Sequence, residues 1–188
     1  MLPSQFAVRL PEWVTDLATT LPECIVDPDE RMALAIRLSR ENVERETGGP
    51  FGALVVAESS GRLIALGVNR VEPDTCSSAH AEIVALSLAQ AALGVHDLAD
   101  APGERVQLVT SCEPCAMCLG AIPWSGVGSV LCGASKADAE ATGFDEGERD
   151  PDWTGMLDRR GIVVETGLLR AQAAAVLTDY ARRGGNIY

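Results

Sequence analysis

Cys112, Cys115 and Cys118 fall within seven positions of one another, and the triplet His80-Ala81-Glu82 stands upstream of them. Imidazole nitrogen and thiolate sulfur are zinc donors. A tetrahedral zinc with three protein ligands keeps a fourth position for water. His80, Cys115 and Cys118 supply three such donors. Bound zinc lowers the pKa of its water from ~15.7 toward ~7, and a neighbouring acid must then carry protons. Glu82, two residues from His80, is the residue placed to do so.

Other uses of the same residues exist. A lone Cys-x-x-Cys also serves as a thioredoxin-like redox pair or as half of a structural zinc site. The first has no use for His80-Ala81-Glu82. The second needs another close cysteine pair, whereas Cys24, Cys76 and Cys132 are scattered. A zinc-clipped interaction module would likewise need four protein ligands. Glu82 as a helix-capping carboxylate is one position off: if Ser78 caps the helix, the capping-box position is Ala81.

The elements that must hold these residues can be read from periodicity and punctuation. Asp27 and Pro28 start a helix that runs to residue 43 and ends at Gly48-Gly49. Residues 52–57 and 63–68 are apolar, β-rich runs split by Ser59-Ser60-Gly61, which predicts a hairpin. A helix follows over 79–93, capped by Ser78. Then come a strand at 106–110, a short helix from Pro114 toward Trp124, strands at 127–132 and 162–165, and a closing helix over 169–183. Both motifs thus sit at helix starts, where side chains lean past the helix end and where the dipole and free amides favour thiolates. Residues 1–26 and 143–155 show no convincing period and are expected to be irregular. Helices alternating with strands predict a helix-flanked sheet. No repeat or linker divides the chain, so one domain over 27–188 is expected, preceded by an extension of no assigned role.

The composition narrows the partners. With 188 residues, 47% of them hydrophobic, the chain can bury a real core. Its 15 Lys plus Arg against 27 Asp plus Glu give a net charge of -12. That disfavours a polynucleotide partner, which draws on basic residues. It does not exclude a small neutral substrate. The apolar runs, such as 52–57, are too short to cross a bilayer, and residues 1–17 lack the basic and apolar pattern of a signal peptide. No membrane partner and a cytoplasmic location are therefore expected. The six cysteines are an even number, but the crowding of three of them points to metal chemistry in a reducing compartment rather than to disulfides. Cys24, Cys76, Cys112 and Cys132 are expected to behave as buried or partly buried apolar residues, and His96 has no assigned partner.

Through His80-Ala81-Glu82 and the run Thr110-Ser111-Cys112-Glu113-Pro114-Cys115-Ala116-Met117-Cys118, the chain resembles the cytidine and deoxycytidylate deaminase superfamily. Within it, the chain is most similar to the bacterial guanine deaminases, from Gly48-Gly49-Pro50-Phe51-Gly52-Ala53 to Ile187-Tyr188. The resemblance implies a three-layer α/β/α sandwich around a five-stranded mixed sheet, one zinc ion per chain, and hydrolysis of guanine to xanthine and ammonia. Cytosine, guanosine, a triazine or a pterin remain alternative substrates, and tRNA adenosine deamination is a further one that the charge opposes.

The resemblance also implies roles for single residues. Phe51, Asn69 and Ala81 line the base pocket, and Trp124 stacks on the ring. Asn69 can read a purine edge with its carboxamide, although an Asn at a strand end also makes turns. Trp124 otherwise packs in the core. Glu146, in Gly143-Phe144-Asp145-Glu146-Gly147, matches a second acid that accepts from the guanine N–H groups or shuttles a proton. Its alternative is a solvated acidic face shared with Asp145, Glu148, Asp150 and Asp152. The tail 184–188, with Tyr188, corresponds to a segment exchanged between the subunits of a homodimer to cover the site. A frayed end is the other reading of that tail.

Overall fold

The computed structural model describes residue 4 and residues 6–187, so Tyr188 lies outside the described residues. In chain order the elements are α1 (Glu12–Thr20), α2 (Pro28–Glu44), β1 (Gly52–Ala57), β2 (Leu63–Val68), α3 (Ala81–Leu93), a 3-10 turn (Leu98–Asp100), β3 (Val106–Cys112), α4 (Ala116–Ser125), β4 (Ser129–Ala134), α5 (Lys136–Glu140), α6 (Trp153–Asp158), β5 (Val163–Glu165) and α7 (Arg170–Arg182). The strands form one mixed sheet in the order β2-β1-β3-β4-β5. β1 pairs antiparallel with β2 and β3, and β4 pairs parallel with β3 and β5.

Strand residues alternate between two cores. Leu54, Val56, Val109 and Leu131 face α1, α2 and α7. Ala53, Val55, Leu108, Val130 and Cys132 face α3, α4 and α6. The result is the three-layer α/β/α sandwich that the resemblance implies.

Two glycines let helices lie close on opposite faces. A Cβ on Gly52 would come within 2.4 Å of the Ala35 carbonyl oxygen in α2, and one on Gly67 within 2.2 Å of the Ala81 carbonyl oxygen in α3. The second contact matters for function, because Ala81 lies between His80 and Glu82. Backbone glycine in β2 thus sets how near the first turn of α3 can approach the sheet.

The structure departs from the sequence expectations in several places. Residues 1–26 are not wholly irregular: α1 forms, with Val14 and Leu17 buried in the same core as α2. Trp13 Nε1 donates to Thr47 Oγ1 at 2.9 Å, and the Arg45 guanidinium covers the Trp13 ring at 5.3 Å. So short a helix, with a proline at its N-cap and no side-chain cap, owes its stability to packing rather than propensity. Likewise α5 and α6 were not expected, since they are five and six residues long, too short for a period to show. His80 rather than Ser78 is the N-cap of α3, with no side-chain cap. Cys24 is exposed, contrary to expectation, while Cys112 and Cys132 are buried.

Residues 81–100 are long and apolar enough in composition to cross a membrane, which corrects the expectation that no run is. Within them α3 is only 13 residues, about 20 Å, and its Ala81, Ala85, Leu86 and Ala89 are packed into the core beneath the sheet.

Gly67→Val is expected to force α3 off β2, at a cost of roughly 1–3 kcal/mol for overpacking, and to impair metal retention at His80. Thermal denaturation and elemental analysis of the variant check this; unchanged metal content would show that α3 tolerates the shift.

Candidate active site

The strand pairs Gly52↔Val68, Ala53↔Thr110 and Cys112↔Ala134 bring the start of β1 and the ends of β2, β3 and β4 to one edge of the sheet. The starts of α3 and α4 lie at that edge. Their caps are His80 (φ -69°, ψ 155°) and Cys115 (φ -64°, ψ 171°), both extended. Val84 N–H closes the first turn of α3 on the His80 carbonyl at 2.9 Å, and Leu119 N–H does the same on Cys115 at 2.8 Å. Cap residues of two helices therefore face one another, and Cys118 joins them from the first turn of α4.

His80 Nδ1 lies 3.5 Å from both Cys115 Sγ and Cys118 Sγ. The donor atoms of the three residues all lie within 4.8 Å of one another. Zinc bonds of ~2.3 Å to sulfur and ~2.0 Å to nitrogen in a tetrahedron imply an S···N edge of about 3.5 Å, so the donor set fits zinc.

A cavity of about 190 Å³ opens on this group, lined by Phe51, His80, Glu82, Glu113, Cys115, Phe144, Asp145 and Glu146. Glu82 and Glu146 are each only 6% exposed. Burial pushes the Glu82 carboxyl above its usual range, with His80 opposing. Burial, then the Cys115 and Glu82 charges, pushes Glu146 up to about 8. The hydrogen bond with Cys118 is the largest influence lowering Cys115, to about 4, whereas that same bond and burial raise Cys118. Burial works to lower the His80 pKa, but its bond to Cys115 and the charge of Glu82 outweigh that and raise it. A dication held by the three donors would offset both sulfurs and the neighbouring carboxylates, in keeping with the donor spacing.

Glu146 is buried in the cavity wall, not on a solvated face, whereas Asp145, Glu148, Asp150 and Asp152 are exposed. Its carbonyl accepts from Ala116 N–H at 3.0 Å, at the start of α4. Phe51 meets Phe144 edge to face, with centroids 5.0 Å apart at 74°, and Phe144 stacks on Tyr180 at 6.0 Å. Ala81 is fully buried in the first turn of α3.

Asn69 is 1% exposed, just past β2. Its N–H donates to the Phe51 carbonyl at 3.1 Å, its Oδ1 accepts from Val71 N–H at 3.2 Å, and its own carbonyl accepts from Asn42 Nδ2 at 2.9 Å. It is tied to Phe51 through the backbone and is not among the residues that line the cavity.

Trp124 is placed otherwise than expected. It is 83% exposed and lines a separate groove with Ile83, Leu86 and Gln90, so within one chain it neither packs in the core nor reaches the cavity. The late position of Trp124 in α4, beyond Ile122 and Pro123, turns its side chain outward.

In the tail, Tyr180 Oη donates to the Asn186 carbonyl at 2.9 Å, and Asn186 Nδ2 donates to Glu72 Oε1 at 2.6 Å. Asn186 thus joins α7 to Glu72; Tyr188, assigned to the site by resemblance, is outside the described residues.

Sequence reasoning did not single out Glu113, Phe144 and Asp145 as wall residues. Glu113 had a signal, since it immediately precedes Pro114-Cys115, and Phe144 and Asp145 stand beside Glu146. Their roles depend on contacts with no fixed spacing.

Three zinc-type donors beside a cavity that holds two buried carboxylates suit a hydrolytic metal site better than a closed structural one. The chain belongs to the cytidine and deoxycytidylate deaminase family, whose zinc-binding region matches residues 27–134. It is similar to the guanine deaminase of Bacillus subtilis (strain 168), at 43% identity over 112 residues, 60% of this chain and 67% of that one. The solved guanine deaminase from Nitrosomonas europaea superimposes with a TM-score of 0.91 at 47% identity, covering 97% of this chain and 99% of that one. A further solved structure, a complex with 2,6-diaminopurine, has a TM-score of 0.91 at 49% identity and covers 97% and 95% of the two chains.

Cys115→Ala is expected to abolish metal binding and to lower the thermal midpoint, since the ion would tie α3 to α4. Elemental analysis of the purified variant is the check, and a full complement of zinc would rule out Cys115 as a ligand.

Proposed function

We propose that the protein is a zinc-dependent aminohydrolase that converts guanine and water to xanthine and ammonia. The observation that carries this reading is the small acidic cavity against the His80, Cys115 and Cys118 donor group. In this reading those three residues hold one zinc ion per chain. The bound ion supplies a Lewis acid that makes water nucleophilic near neutral pH.

Glu82 takes a proton from the attacking water and delivers it to the ring nitrogen N3, then takes the second proton from the new C2 hydroxyl and passes it to the departing amine. The C2–N bond breaks as a C2–O bond replaces it, so guanine plus water balances xanthine plus ammonia. Its raised pKa suits a group that must hold a proton between these steps. Glu146 accepts from the adjacent N1–H and 2-amino groups of guanine, a donor edge that an acidic wall favours. Phe51 and Phe144 give the cavity an apolar side for a flat ring. Asn69 lies outside the cavity lining with its Oδ1 on Val71 N–H, so reading the base edge requires its carboxamide to turn toward the ring.

Size and charge both favour a free base. About 190 Å³ is below the ~300–1,000 Å³ of pockets for drug-sized ligands, and the four carboxylates of the wall repel a phosphate. The net charge of -12 opposes a tRNA substrate as well. The Bacillus subtilis and Nitrosomonas europaea relatives are themselves named guanine deaminases. A homodimer in the cytoplasm completes the proposal.

Glu82→Gln is expected to keep zinc and fold while kcat falls by about 10²–10⁴; wild-type turnover would refute its role. Ammonia release by the zinc-loaded protein from guanine, guanosine, cytosine, adenine and a triazine amine tests the substrate. A large preference for any compound other than guanine overturns that assignment.

A further inference from the structure

Arg149 is the one basic residue in the stretch 143–158, and its side chain is only 9% exposed. Its guanidinium lies over the Trp153 ring at 4.6 Å, and Trp153 is itself buried in the core beneath the sheet. From that anchor, one arm of the guanidinium (Nη1) donates to the Pro114 carbonyl at 3.0 Å and the other (Nη2) to the Glu113 carboxylate. Glu113 Oε2 also accepts from Lys136 N–H at 3.1 Å. The turn that leads into Cys115 is therefore gripped at two successive residues by one rigid planar cation.

The same contacts reach Glu146, three residues before Arg149. The Glu146 carbonyl takes the Ala116 N–H, the Gly147 carbonyl takes Lys136 Nζ at 2.5 Å, and a Cβ on Gly147 would come within 2.9 Å of the Ala116 side chain. The loop bearing Glu146 thus has a narrow seat on the start of α4. Arg149, further along the same loop, bonds Glu113 and Pro114 on the other side of Cys115.

We infer that Arg149 is a positioning residue: its two-armed grip on Glu113 and Pro114, braced by Trp153, holds the Glu146 carboxylate at a set distance from the Cys115 turn. It is in neither the donor group nor the cavity lining; it holds the lining residue Glu113, and its charge also opposes the rise in the Glu146 pKa. The inference rests on the role proposed above for Glu146.

Arg149→Met, Arg149→Lys, Glu146→Gln and the double variant Arg149→Met/Glu146→Gln, each as the zinc-loaded full chain, provide the test. Arg149→Met is expected to lower kcat by about 10–100-fold, the usual size of effect for a group that supports a metal-site residue, with KM moving far less. Arg149→Lys keeps the charge but not the fork, and is expected to keep the folded state and a partial loss of kcat. The decisive readout is coupling: the double variant should be little slower than Glu146→Gln alone.

A merely structural Arg149 would lower the thermal midpoint and multiply with the Glu146 loss. Wild-type kcat in both Arg149 variants, or multiplied losses in the double variant, overturns the inference. If Arg149→Met does not fold, Arg149→Lys enters the same cycle with the same criteria. Full activity of Glu146→Gln sinks the role of Glu146 itself, and the inference with it; loss in Glu146→Gln without loss in the Arg149 variants sinks the inference alone.

Discussion

Two helix starts meeting over one sheet edge impose the constraint from which the rest of this structure follows. The caps of α3 and α4 bring an imidazole and two thiols within 4.8 Å, and two largely buried carboxylates stand beside them. Such a concentration of anionic groups away from water is costly unless cations or oriented amides offset it. Free amides at the helix starts offer part of the compensation. A dication held by the donor group would offset the rest, which would make metal binding and the integrity of this edge one problem.

The sheet solves the placement. Pairing of β1 with β2 and β3 aligns the residues just outside the strands, so that Phe51, Asn69 and the turn after β3 lie together although they are far apart in the chain. Close helix approach at Gly52 and Gly67 then sets the depth of the layers. On the far wall, the contacts Phe51–Phe144–Tyr180 join the cavity to α7 and, through Asn186 and Glu72, to the tail. The cavity wall is continuous with the core, which keeps its side chains in place.

The loop between α5 and α6 shows how one composition can hold two environments. Asp145, Glu148, Asp150 and Asp152 face water, and Glu146 and Arg149 turn inward. Charge patterning treats all of them alike, because it counts residues and not directions. The Ala116 N–H on the Glu146 carbonyl and the Lys136 ammonium on the Gly147 carbonyl fix the loop so that Glu146 is buried while Asp145, at the cavity rim, stays exposed.

The amino-acid sequence by itself determined the chemistry and much of the frame. Donor types and local spacing singled out His80, Cys115 and Cys118, whose donor atoms the fold gathers within 4.8 Å, and Glu82, which lines the adjoining cavity, because such a pattern resides in short stretches at helix starts. The hairpin of β1 and β2 and the helices α2 and α3 were legible because each carries its own period and stop signals. Tertiary structure alone decided the remainder. α1 is stabilised by a core that its own residues do not reveal, Trp124 faces outward because of where α4 seats, and the Glu113–Arg149 pair joins positions 36 residues apart. These features arise from packing and from the directions side chains take once packed, and a linear pattern records neither.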